Sequence, residues 1–408
     1  MDNSYNGSIR VEIRLSGGNT IKKDHKCTTG RLVINNQFIQ RKIGNEKLED
    51  VVSCIIWLGA NDLCLDIEDY TVTKQLSLNK FYNTTSNLSY LRINGVDVTV
   101  NGQNIDNLQA DTSKISLSDC YVKNLKAGIQ GHKEYLSFED HVESNKCKKF
   151  DSIDIRSCEI KSLDLLLECK YINIQNSKIG ILNLYGTKEF NSLSENNIKY
   201  MNIWEHSIIE IIDIKYNVEK LKIEDSIISK MIARHRCKLD SLEITNATIL
   251  DAYNFEKHNF GVCTIDSWEL ISKSANNKKQ YDKRAEAQYH IVKDAYKNES
   301  GMKKILVNLL DFCTGFGYKP FLTFRALLII IAVSWGLLVL NNVISLYHYV
   351  GLGKRIVEMF LISVAAIGGQ SGLCIGDGFA YWVTFVEYIG ALILFAMFVN
   401  ALYVKYKD

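Results

Sequence analysis

The chain has 408 residues, long enough for two or more domains, and carries 48 basic and 46 acidic side chains for a net charge of +2. That balance, with no basic stripe interleaved with aromatics, excludes nucleic acid as an expected partner. The near-neutral total conceals an asymmetry: most of the charge precedes Pro320, and the strongest apolar runs follow it.

The N-terminal stretch has no basic head leading into an apolar core, so no secretory signal is expected. The 11 cysteines are scattered without a CxxC pair and read as reduced, mostly buried small side chains. A single proline leaves strands free to pair without losing backbone donors. Over residues 1–64 short alternating runs such as Ser8–Arg14 predict a β cap.

From about Leu65 to residue 267 the rhythm changes, and apolar centres recur every five residues. Ile67 and Val72, Ile93 and Val98, and Leu117 and Val122 begin the series. Ile155, Ile160 and Leu165 continue it, followed by Ile174, Ile179 and Leu184, by Ile203 and Ile208, by Ile223, Ile228 and Ala233, and by Ile244 and Ile249. The residue two before the second centre is small at Cys158, Ser177, Ser226 and Ala247, with His206 as the exception. Blocks return after roughly twenty residues, the period of stacked-repeat architectures; Thr187–Asn191 is expected to bulge out as a loop. A period of five is neither helical nor that of a flat strand. It predicts a coil that turns a corner every few residues and stacks equivalent side chains into columns. Ser177-Lys178-Ile179 and Ser226-Ile227-Ile228 resemble the pentapeptide-repeat family, with Ile in place of the central Leu. The resemblance implies an all-β, right-handed parallel β-helix or solenoid. A generic parallel β-helix and an ordinary antiparallel β domain are the alternatives.

No phosphate-binding glycine loop, metalloprotease motif or paired carboxylate spacing occurs in this region. His206, His235 and His258 stand apart and read as solvated structural residues. No catalytic residue, metal site or cofactor is expected, and the chain reads as a non-enzyme.

Residues 268–319 form a helical connector. Ala285–Tyr296 is rich in helix formers, Asn298-Glu299-Ser300-Gly301 breaks the pattern, and Ile305, Leu306, Leu309 and Leu310 give a second helix its apolar face. That helix is placed along a membrane surface or against the end of the solenoid. Residues 320–408 hold two apolar spans, from Pro320 to about Tyr349 and from about Phe379 to Tyr403, each long enough to supply the ~20 residues a bilayer requires. Between them Ile356–Ile367 is too short to cross and reads as a re-entrant helix. Lys405 and Lys407 follow the second span and place the C-terminus, and with it the N-terminal unit, in the cytoplasm of a multi-pass inner (plasma) membrane protein.

The C-terminal region resembles the two-helix pore domain of the potassium channel superfamily, especially bacterial versions fused to pentapeptide repeats. Gly315-Phe316-Gly317-Tyr318-Lys319-Pro320 and Arg325 match the entry to the first span. Glu387, Gly390, Ala391, Phe395, Phe398, Val399, Leu402 and Lys405 match the second. The family filter reads Thr-Thr-X-Gly-Tyr/Phe-Gly-Asp; the aligned stretch here is Ala365, Ala366, Ile367, Gly368, Gly369, Gln370 and Ser371, where only the first glycine matches. The resemblance implies a homotetramer around a pore with a degenerate filter, passing monovalent cations with altered selectivity. Asp377 is placed near the outer mouth, Glu387 in a hydrogen bond behind the filter and Gly390 at a close helix contact or hinge. A cytosolic ligand or protein is the expected partner of the solenoid. The alternatives are a membrane-anchored binding or scaffold protein with a non-conducting pore-like domain, and a poorly selective defence or stress effector.

Overall fold

The computed structural model describes residues 7–27, 30–59, 61–81, 87–128, 149–165, 168–184, 197–215, 217–234, 237–345, 352–367 and 378–406. The chain divides into two units, Met1–Asp266 and Ser267–Asp408.

In the first unit the chain alternates between two sheets, of eleven and ten strands among the described residues, and each strand pairs with the next one in its own sheet. From Arg31 onward the pairing is parallel, except where Val51–Gly59 meets Gly7–Leu15. The antiparallel alternative therefore holds only at the start, where Gly7–Leu15 forms a hairpin with Thr20–Cys27 across Gly17-Gly18. The outer strand of that hairpin exposes Lys22, Lys23 and Lys26, charges that discourage edge-to-edge pairing with another chain.

Inward positions come in steps of two and three residues, the origin of the five-residue rhythm. Ile153, Ile155, Cys158, Ile160, Leu163 and Leu165 are all buried in one rung. They stack in register on Ile172, Ile174, Ser177, Ile179, Leu182 and Leu184 of the next. Met201 and Ile203 continue two of these columns, and Leu221 and Ile223 follow them. No rung closes its own core; each buries its apolar face only against its neighbours.

One corner of the coil is short and regular. The strand ending at Arg156 is joined to the strand starting at Glu159 by Ser157 and Cys158 alone, and Asn176-Ser177 and Asp225-Ser226 do the same in other rungs. The first corner residue has a left-handed backbone at Gly102, Asp119, Ser157, Asn176, Asp225 and Asn246. Asp and Asn tolerate that conformation best among residues with a Cβ. At three of these corners the second residue is buried and bonds back two residues: Ser177 Oγ donates to the Gln175 carbonyl and Ser226 Oγ to the Glu224 carbonyl, both at 2.7 Å, and Cys158 Sγ to the Arg156 carbonyl at 3.1 Å. Backbone bonds link corner to corner, as in Lys178 N–H to the Cys158 carbonyl at 2.8 Å and Glu159 N–H to the Cys120 carbonyl at 2.9 Å.

The five-residue frame slips in one rung. Glu205 and His206 both take left-handed backbones, so this corner holds one residue more. Ser207 becomes the buried small residue, Ile209 the buried centre, and Ile208 is 41% exposed. The exception at His206 is thus an insertion. Val72 and Ile244 are half-buried rather than core. Thr187–Asn191 and His235 lie outside the described residues.

One helix is additional to the sequence reading, and another opens the helical stretch expected from residue 268. Helix α1, Asn36–Ile43, buries Ile39 and Ile43 and is capped by Asn35, whose Oδ1 accepts from Phe38 N–H at 2.9 Å. At the far end, Gly261 N–H bonds the Leu239 carbonyl at 2.9 Å and Asp266 Oδ2 accepts from Ile244 N–H at 2.9 Å, satisfying edge groups of the last strand of one sheet. Asp266 lies in the first turn of helix α2, Ile265–Asn277.

The second unit is helical: α3 is Tyr281–Ala295, α4 Gly301–Thr314, α5 Pro320–Ser345, α6 Leu352–Ile367 and α7 Gly378–Tyr406. Trp268 of α2 stacks on His290 of α3 with ring centroids 4.1 Å apart.

Candidate membrane module

Helix α4 ends at Gly315, whose left-handed backbone closes the helix, and Phe316 is left-handed as well. The turn is held by a charged cluster. Tyr289 Oη donates to Asp311 Oδ1 at 2.8 Å, and Lys293 Nζ donates to Tyr289 Oη at 3.0 Å and to Asp311 Oδ2 at 2.9 Å. Lys319 Nζ lies 3.5 Å from the centre of the Tyr289 ring. Burial opposes the charge on Asp311, but the bonds from Lys293 and Tyr289 outweigh it and hold the carboxyl below its usual range. The bonds to Tyr289 and Asp311 hold Lys293 above its ordinary range.

Pro320 opens α5 at a position where its missing N–H costs no helix bond. Pro320–Asn341 and Gly378–Tyr403 are long and apolar enough to cross a membrane, at 22 and 26 residues. At the helical rise they span about 33 and 39 Å, against a hydrocarbon core of roughly 30 Å. Much of their surface is apolar and open: Leu328, Val333 and Leu340 on α5 and Val386, Leu392 and Phe395 on α7 are each more than half exposed.

The buried side of α7 is narrow and built from small or polar residues. Ala380, Thr384, Glu387, Ala391, Leu394 and Ala401 are buried, at helical steps of three, four and seven. Small side chains let helix backbones approach closely. At Gly390 an added Cβ would stand 3.3 Å from Ile330 Cδ1 of α5, so the glycine admits that neighbour.

Helix α6 packs against both long helices. Its apolar part, Ile356–Ile367, extends about 18 Å, too short to cross. Trp335 Nε1 of α5 donates to the Ile356 carbonyl at 2.9 Å. Ser363 of α6 donates to Glu387 Oε1 of α7 and approaches the Ile331 carbonyl of α5 at 3.3 Å. Glu387 is 1% exposed, and its Oε2 has no hydrogen-bond partner among the described residues. Ser334 of α5 neighbours the same carboxyl group. The three helices therefore meet at one buried acid.

Of the filter-like residues, Ala365, Ala366 and Ile367 form the last turn of α6, with Ala366 fully buried. Gly368, Gly369, Gln370 and Ser371 lie outside the described residues, as does Asp377. Glu387 and Gly390 both face α5, and Glu387 also meets α6. Ser363 and Ser334 are functional candidates the sequence reading missed; no spacing rule connects serines on separate helices to an acid on a third. Among the described residues no group of three His, Cys, Asp or Glu side chains converges as a metal site.

No family model, characterised protein or solved structure matches this chain.

Proposed function

We propose that the protein is an ion-channel-like integral membrane protein, assembled as a homotetramer in the inner (plasma) membrane and passing monovalent cations with weak selectivity. The observation that carries this reading is the short helix α6 held against two long apolar helices through the buried Ser363–Glu387 bond. A helix too short to cross must turn back, and the backbone after it must be covered by protein or face water. Copies arranged around a common axis meet both conditions and place the segment after Ile367 beside an aqueous path. In the sequence Gly368 alone matches the filter of the resembled family, and the lost threonines, aromatic and second glycine weaken discrimination among ions. Lys405 and Lys407 favour a cytoplasmic C-terminus, and two crossings then put the N-terminal unit on the same side. Stacked coils of that kind present extended surfaces suited to a ligand or protein.

The test is potassium and sodium flux into liposomes containing the purified protein. Flux above protein-free vesicles is expected for both ions, lowered by Gly368→Val. Glu387→Gln retains an oxygen that accepts from Ser363 and should preserve flux; Glu387→Leu should abolish it. Folded, reconstituted protein that passes neither ion would overturn the channel reading in favour of a membrane-anchored scaffold.

A further inference from the structure

One carboxyl group inside the helical unit keeps an oxygen that the fold does not satisfy. Ser363 donates to Glu387 Oε1, but Glu387 is 1% exposed and its Oε2 has no hydrogen-bond partner among the described residues. The groups that reach this carboxyl are the uncharged hydroxyls of Ser363 and Ser334, with no lysine, arginine or histidine among them. A buried oxygen left in this way costs free energy, and a buried negative charge costs more unless something neutralises it.

The surroundings supply oxygens rather than cations. Ser363 Oγ spends its one proton on Glu387 Oε1, which leaves its lone pairs free, and it stands 3.3 Å from the Ile331 carbonyl oxygen of α5. Ser334 is buried one turn further along α5. Carboxylate, hydroxyl and carbonyl oxygens are the ligands that hard cations take. Two oxygens held about 2.4 Å from such a cation at right angles stand about 3.4 Å apart, near the separation of Ser363 Oγ and the Ile331 carbonyl. The charge selects the valence. One carboxylate balances one positive charge, whereas a divalent ion would leave an excess charge in a low-dielectric interior.

We infer that Glu387 Oε2, Ser363 Oγ, Ser334 Oγ and the Ile331 carbonyl form a binding site for one small monovalent cation of the sodium class, which ties α5, α6 and α7 together. All of these oxygens belong to one chain, so the inference depends neither on assembly nor on conduction.

The experiment uses the purified full-length protein in a neutral detergent. Thermal unfolding is followed in sodium chloride and in choline chloride at equal ionic strength, and bound sodium is counted by equilibrium dialysis with the radioactive ion. Sodium should raise the unfolding midpoint by about 2–4 °C over choline. Glu387→Gln keeps an acceptor for Ser363 but removes the charge, and should lose both the shift and one bound ion per chain. Ser334→Ala removes a single ligand and should raise the sodium concentration for half the shift severalfold; it carries the test if Glu387→Gln does not fold. Equal midpoints in sodium and choline would overturn the inference. A sodium shift that survives in Glu387→Gln would place the ion elsewhere and overturn it too. A midpoint that follows pH but ignores sodium would mean that Oε2 carries a proton instead, which also overturns it. Liposome flux is not read in any arm, so loss of the channel reading leaves these outcomes unchanged.

Discussion

The two units solve the burial problem in opposite ways. In the N-terminal unit large aliphatic side chains point inward and stack in register, so Leu163, Leu182 and Ile212 are at most 1% exposed. In the C-terminal unit the buried seam of α7 is largely alanine, threonine and glutamate, while Val386, Leu392, Phe395 and Val399 face outward. The difference is the one expected if the long helices lie in lipid, as proposed: water rewards hiding apolar area, whereas lipid offers no such reward and leaves close packing and polar contacts to hold helices together.

The largest expected effect separates the units directly. Leu182→Ala opens a cavity inside the coil and should cost about 3 kcal/mol in denaturant unfolding. Leu306→Ala, at a residue 54% exposed, should change stability in detergent by no more than about 0.5 kcal/mol. Equal losses would break the comparison.

A second contrast concerns close approach. At Gly180 an added Cβ would stand 2.6 Å from the Lys161 carbonyl oxygen of the preceding rung. Gly180→Val should therefore cost about 1–3 kcal/mol by thermal unfolding. Gly336 has nothing within 4 Å of such a Cβ, so Gly336→Ala should be tolerated.

Corner strain gives a smaller effect of either sign. Asn176→Val places a β-branched residue in a left-handed backbone and should cost about 1–2 kcal/mol, whereas His206→Gly relieves one and should gain about 0.5 kcal/mol. Loss of stability on His206→Gly would show that the extra corner residue is fixed by something other than backbone geometry.

The last effect is absent at neutral pH and appears only in alkali. Burial pushes the Cys54 and Cys169 thiols up to about 12 and Cys237 up to about 11, from an ordinary value of 9.0. The folded unit holds these protons more tightly than the unfolded chain. Their contribution is complete below pH 9.0 and should fall as pH rises from there toward 11 and 12, visible as a declining denaturation midpoint. The same thiols should resist alkylation in the native protein and react on unfolding.

Much of the coil is legible in the sequence because its columns are written in side-chain identity. Ile, Leu and Val occupy inward positions, and Asp or Asn followed by Ser or Cys marks the tight corner, as at Asp119-Cys120, Asn176-Ser177 and Asp225-Ser226. The slip at Glu205-His206 is hidden because Ile208 and Ile209 are both apolar, so only the backbone tells which one faces in. The N-terminal hairpin is signalled by Gly17-Gly18, but its antiparallel pairing with both neighbours is not. Helix α2 falls in the stretch from residue 268 read as helical, but its own bounds are not marked by a cap or a break in the sequence. In the second unit the long apolar helices announce themselves. The meeting of Glu387 with Ser363 and Ser334 does not, since it depends on how three helices rotate against one another.

The short corner has a counterpart across the coil that obeys no fixed length. There Ala127 is followed by the next strand at Lys149, Leu165 by Glu168 and Leu184 by Asn197, yet the rungs on either side remain in register. From Gly102 onward the molecule therefore has one margin where the corner holds two residues, or three at Glu205-His206-Ser207, and one where its length varies widely. A reporter domain or epitope grafted at the free margin, between Leu165 and Glu168, is expected to leave the columns aligned, whereas deleting a single residue at Asp225-Ser226 removes either the left-handed residue or the buried serine that the turn uses. New surface can be added to this protein along that one border without rewriting its interior.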